Sequence, residues 1–206
     1  MTQTWNLENV SQIAKESPYT FYLPSNEVIK QLEIGDVVKL MFNCDVENDQ
    51  GWSAERMWVE ITSREGDQFQ GFLDNDPYYI PDIKAGDELS FNSHHIMQTS
   101  LEDPIPNEVD KFLPRCFVTN SVLIDKNPVI QLFREEPDEE YKEKNYSGWN
   151  LFSGKEDDDY LNNGDNWNFV SLGAILNIDD KFKYLLDSEF GSEFVWSEAE
   201  NEYVKI

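Results

Sequence analysis

Two adjacent histidines, two cysteines and 41 acidic residues are the side chains with which this 206-residue chain could run a reaction or grip an ion. His94 and His95 lie in a stretch that reads as a strand. Neighbours on a strand point to opposite faces, so the pair is not expected to chelate one ion; one packed and one solvated ring is the expectation. Cys44 and Cys116 are far apart in sequence and offer neither the paired thiols of a zinc site nor a disulfide framework, so reduced thiols are expected. The run Glu156-Asp157-Asp158-Asp159 raises the question of calcium. Counted from Asp157, however, the fifth position is Leu161 and the sixth Asn162, where a calcium loop needs an oxygen ligand and a glycine. Asp74-Asn75-Asp76 starts like such a loop and then continues Pro77-Tyr78-Tyr79. No G-x-S-x-G nucleophile elbow, no G-x-x-x-x-G-K phosphate loop and no G-x-G-x-x-G dinucleotide turn occurs. No catalytic residue, cofactor or metal site is therefore expected. Paired carboxylates can still do acid–base work, which keeps an enzyme with a scattered carboxylate site among the alternatives.

The charge directs the reading towards a partner. With 16 Lys and Arg against 41 Asp and Glu the formal net charge is −25. Residues 1–112 carry 7 basic and 21 acidic groups and residues 113–206 carry 9 and 20, so no single acidic tail is responsible. Such a field repels nucleic-acid backbones and anionic lipid, and it attracts and steers a cationic protein. No nucleic-acid or membrane partner is expected. The absence of a basic, apolar leader and of a membrane-length apolar run implies a cytoplasmic location. Aromatic residues at 14% argue against disorder.

The elements that must hold these groups are short. Pro104, Pro106 and Pro114 punctuate a polar stretch, which divides the chain into a mostly-β domain at 1–100, a linker at 101–114 and an α+β domain at 115–206. In the first domain a helix is expected over Asn6–Lys15 and another after Ser25, its cap, with Val28, Ile29 and Leu32 on one face. Gly35-Asp36, Gly66-Asp67 and Gly86-Asp87 each read as a turn feeding a strand. ERMWVEIT and QFQGFL form a hairpin, and the whole suggests a curved sheet or partial barrel. The second domain is expected to be an antiparallel sheet with two helices. Its strands are Cys116–Ile124, Val129–Arg134 and Trp149–Phe152, with a terminal hairpin of EFVW and YVKI. Glu135–Asn145 reads as an exposed loop. Leu172, Ile175 and Leu176 mark one amphipathic helix; Phe182, Leu185 and Leu186 mark a second, with Asp179 or Asp180 as its cap.

CFVTNSVL, REEP at Arg134–Pro137, SGWNLFSG at Ser147–Gly154, EDDDYL at Glu156–Leu161 and SLGAILNID at Ser171–Asp179 occur in order. In these motifs the second domain resembles a bacterial immunity-protein family, the thirty-third catalogued among polymorphic toxin systems. Through GDVVKLMF, ERMWVEIT, GFLDNDP and IKAGDEL the first domain resembles a second, uncharacterised bacterial family. The resemblance implies a non-enzymatic protein that binds and neutralises a toxin. On that reading Glu135, Glu136, Asp157, Asp158 and Asp159 steer a basic toxin and Trp149 anchors it. Trp58, Trp167 and Trp196 are further candidate anchors, although core packing is the commoner role of any one Trp. The alternative is a two-domain adaptor or regulatory protein binding another protein or a small ligand.

Overall fold

The computed structural model describes residues 3–44 and 51–206. They form an α+β protein of two compact units, one of residues 1–16 and 21–107 and the other of residues 17–20 and 108–206.

The first unit contains β1 (Trp5–Leu7), α1 (Val10–Glu16), α2 (Asn26–Gln31), β2 (Val37–Cys44), β3 (Ala54–Glu65), β4 (Gln68–Leu73), β5 (Glu88–Asn92) and β6 (Ile96–Thr99). Asn6 pairs within β1 instead of starting a helix, and α1 begins four residues later. Ser25 caps α2 as its sequence suggests, accepting a bond from the Val28 N–H at 3.1 Å. The sheet runs β1-β2-β3-β4-β5 with every pairing antiparallel. Alternation sends Met57, Val59 and Ile61 of β3 and Phe69 and Leu73 of β4 into one core with Val38, Leu40 and Phe42, leaving polar residues such as Glu60, Gln68 and Gln70 outside. The edge of β2 is shared. β1 takes its Phe42–Cys44 half and β6 its Val38–Leu40 half. Because β5 passes through a 3-10 turn at Ser93–His95 into β6, the sheet curls almost into a barrel. His94 and His95 thus occupy a turn, not a strand, with their rings edge-to-face at 4.1 Å.

The second unit contains β7 (Arg115–Thr119), α3 (Asn120–Leu123), β8 (Gln131–Arg134), α4 (Glu139–Glu143), β9 (Tyr146–Phe152), α5 (Asp158–Leu161), β10 (Trp167–Ser171), α6 (Leu172–Leu176), β11 (Glu193–Ser197) and β12 (Glu202–Lys205). Its sheet has the order β10-β7-β9-β8-β11-β12 and is mixed, since β7 and β9 run parallel. Three local expectations give way to hydrogen-bonding chemistry. The expected first strand stops at Thr119, because Asn120 and Ser121 begin a helical turn in which Asn120 O accepts the Ile124 N–H. The acidic loop holds a helix, because Asp138 caps it and Lys142–Glu139 and Lys144–Glu140 pairs lace its side. The expected second helix is only a 3-10 turn at Lys183–Leu185. Neither candidate cap is free for it: Asp179 accepts the Val129 and Lys181 N–H groups and Asp180 accepts the Tyr19 hydroxyl. Tyr19 also packs edge-on against Phe112. Among the described residues no helix is long and apolar enough to cross a membrane.

Candidate functional site

Period-two alternation divides the second sheet into two faces with different fates. On one, Cys116, Val118, Trp149, Leu151, Leu132 and Phe194 are buried beneath Leu172, Ile175, Leu176 and Phe182. The register then fixes the other face. Trp167 and Phe169 of β10 lie opposite Thr119 and Phe117 of β7; Phe117 lies opposite Asn150 of β9; Phe152 and Asn150 lie opposite Gln131 and Phe133 of β8; Val195 of β11 follows opposite Gln131. The result is two groups of aromatic rings across four strands, with buried Thr119 and Asn150 among them. Phe133 stacks on Phe152 at 5.6 Å, Phe152 meets Trp167 edge-on at 5.3 Å, and Phe117 lies 4.8 Å from Phe169. All five rings are half-buried, and none belongs to the core cluster.

The two acidic segments sit at opposite ends of this face. At one end α4 lays Tyr141 edge-on against Phe117 and Phe169. Glu135, just before α4, accepts the Tyr146 hydroxyl at 2.8 Å and the Asn150 amide at 3.3 Å, which ties the acidic segment to the sheet. Burial, and then this bond to a carboxylate, pushes the Tyr146 phenol above its usual range and keeps it a neutral donor. The backbone allows this arrangement because Gly148 adopts a positive φ of 87° and sits so close to Glu135 that a Cβ would lie 2.2 Å from its carbonyl oxygen. Glu136 is exposed beside it.

At the other end Asp157 caps α5 through the Tyr160 N–H at 2.8 Å, which leaves Asp158 and Asp159 exposed in the first turn. Trp167 anchors to α5 by donating its Nε1–H to Leu161 O at 2.9 Å. Glu156 turns inward and accepts the Thr119 hydroxyl at 2.5 Å and the Ser153 N–H at 2.9 Å. Partial burial works to raise its pKa, but these bonds outweigh burial and hold it below the usual range, so it is an ionised structural brace. The principal cation at the face is Arg115, whose guanidinium stacks 4.4 Å from the Phe169 ring centre and donates to Phe169 O.

Five of the six residues singled out from sequence therefore flank one surface, in two groups: Glu135 and Glu136 at one end, Asp157, Asp158 and Asp159 at the other. Trp149 departs from its expected role. It is 0% exposed, donates to Leu186 O at 3.3 Å and lies beneath Arg134, so its ring belongs to the core. Of the other candidate anchors, Trp167 is on the open face. Trp196 packs on the core side with Tyr203, and Trp58 of the first unit lies under the Lys39 ammonium. The sequence reading missed Phe117, Phe133 and Phe169. The signal for them was the pairing of apolar neighbours in CFV at 116–118, LF at 132–133 and FV at 169–170, which leaves both faces of a strand apolar.

The arrangement suits contact with a partner. Cys116 is wholly buried and its thiol is pushed well above the range in which it would ionise, mainly by that burial. Among the described residues no group of three or more His, Cys, Asp and Glu is placed to hold a metal ion. Half-exposed rings over several strands supply apolar area that a partner can dehydrate, and carboxylates at both ends supply a field for cations.

Residues 116–206 match the family model of the immunity protein Imm33 domain, and residues 8–101 match that of an uncharacterized protein conserved in bacteria (DUF2314). The matches agree with the two families suggested by the sequence motifs, and the first supports an immunity role in general. No curated protein and no solved structure matches the chain significantly.

Proposed function

We propose that this protein is an immunity protein that neutralises a toxin by binding it, and that it does so with the open aromatic face of the second sheet. The observation that carries this reading is the set of rings Phe133, Phe152, Trp167, Phe117 and Phe169, left partly exposed between two acidic segments of the domain that matches an immunity family. Five partly exposed rings on one sheet face are apolar area that a partner can cover. The rings supply the dehydrated centre of the interface and the carboxylates its charged rim, which selects a basic partner and speeds encounter with it. Inhibition follows from occlusion and needs no covalent step from this chain.

The test begins with the reading frame next to the gene. A toxin domain encoded there would be purified and titrated with this protein, and growth would be followed with both expressed. Tight binding and rescue of growth, both lost on Phe133→Ser with Phe152→Ser, are expected. Full rescue by a double variant that no longer binds would contradict occlusion, and turnover of the toxin or its substrate by the purified protein would favour an enzymatic role.

A further inference from the structure

The first unit carries a second candidate interaction surface, at the place where its barrel fails to close. The phase of the ladders shows which backbone groups face the opening. Leu73 N–H bonds to Asp87 O and Ser93 N–H to Asp67 O, so in β5 the odd-numbered residues pair with β4 and the N–H and C=O groups of Glu88 and Ser90 point away from it. Glu8 N–H bonds to Met41 O, so in β1 the even-numbered residues pair with β2 and the groups of Leu7, together with the Trp5 N–H, point away. The two free edges line one cleft of about 440 Å³, whose walls include Trp5, Leu7, Glu88, Ser90 and His95. At one end Thr4 is pinned to Asp82 by bonds of 2.8 and 2.5 Å; at the other the 3-10 turn carries the chain across into β6. An exposed edge is commonly blunted by a neighbouring element or a bulge. Here two edges face the same gap.

We propose that the cleft between β1 and β5 takes an extended, lysine- or arginine-bearing segment of a protein partner as an added strand. Four antiparallel steps separate β1 from β5, so the two run in the same direction, and a segment antiparallel to both satisfies the free groups of Leu7, Glu88 and Ser90 at once. The cationic character of the segment follows from the lining. Glu88 is exposed on it, Glu8 stands near His95, and among the described residues no Lys or Arg lines the cleft. The His95 Nδ1 accepts the Asn92 N–H at 3.0 Å, and burial, with the neighbouring His94, lowers the pKa of the His95 ring. This site is independent of the aromatic face and of the toxin reading.

The test uses the full chain and a capped hexapeptide alternating lysine and valine, followed by amide NMR. Saturable shifts at the Leu7, Glu88 and Ser90 amides with a Kd below about 1 mM are expected, and a peptide N-methylated at alternate positions should bind at least about tenfold more weakly. Ser90→Pro removes an outward N–H that β4 does not use and should weaken binding similarly. Absence of saturable shifts, shifts confined to other residues, or equal binding of the N-methylated peptide would overturn the proposal. So would a dimer that Ser90→Pro converts to monomer, since the cleft would then be filled by a second copy of this chain.

Discussion

Each unit is built on a six-stranded sheet, yet the two sheets treat their second face in opposite ways. In the first unit the sheet curls on itself, and its outer face is mainly polar, carrying Glu60, Gln68, Gln70, Glu88 and Ser90 with Trp58 and Phe72 among them. In the second the sheet stays open, and the face turned from the core carries Phe117, Phe133, Phe152, Trp167 and Phe169. A curled sheet gathers most of its apolar residues into one interior, with Phe72 the exposed exception on β4. An open sheet with two apolar faces has buried one fully and covered the other only in part, with α4, α5 and the Glu135 and Glu156 carboxylates, and the aromatic area left over is the physical argument for a partner.

The sharpest way to break the comparison is to truncate one ring on each face of the second sheet. Trp149→Ala empties a fully buried site and is expected to cost about 3–5 kcal/mol in urea unfolding. Phe133→Ala on the open face should cost about 1 kcal/mol or less of stability and instead weaken toxin binding by about 2 kcal/mol, roughly thirtyfold. If the two variants lost stability equally, the open face would be core and the argument for a partner would fail.

Acid separates the two units by a different route. Asp103 of the first unit accepts the Tyr22 hydroxyl at 2.5 Å, the Ser25 N–H and hydroxyl each at 2.6 Å and the Ile105 N–H at 2.9 Å. Slight burial works to raise its pKa, but these bonds prevail and hold it at about 2, below the ordinary carboxylate value. A carboxylate depressed on folding contributes stability that is present above its unfolded pKa and lost as pH falls through the folded one. Asp103→Asn should therefore lower the melting temperature of the first unit at pH 7, with the difference from wild type closing between about pH 4 and pH 2. A difference that persisted unchanged at pH 2 would show that the carboxylate's charge is not what holds Ser25 and Tyr22.

The smallest effects belong to the rim. Glu136→Lys, Asp158→Lys and Asp159→Lys together should change stability by no more than about 0.5 kcal/mol per site. Their expected signature is kinetic, an association rate with a basic toxin about tenfold slower at low ionic strength and nearly restored in high salt. Insensitivity to both salt and reversal would leave the rings as the whole interface.

The sequence disclosed some of this and concealed the rest for definable reasons. Strict alternation in ERMWVEIT and QFQGFL revealed the hairpin of the curled sheet, because one face there is polar. Ser25 revealed a helix start, because its oxygen has an N–H three residues ahead to accept. The acidic flanks were visible as charge runs, but their placement at opposite ends of one sheet depends on the antiparallel pairing of β8 with β9, a register that neither charge run discloses. WNLF could not say which of its rings was buried. Trp149 and Phe152 both read as strand aromatics, and only the packing of Leu172, Ile175 and Phe182 over one face decides that Trp149 is core and Phe152 is surface. The expected second helix failed because Asp179 and Asp180 bond to Val129, Lys181 and Tyr19, partners that a local reading does not weigh.

The most direct test of the central claim is the affinity of the cognate toxin for the Phe133→Ser, Phe152→Ser double variant, with folding verified by circular dichroism and urea unfolding. A folded protein whose Kd is raised at least about a hundredfold is expected. Unchanged affinity in a folded variant would contradict it, because toxin would then be held somewhere other than the open aromatic face.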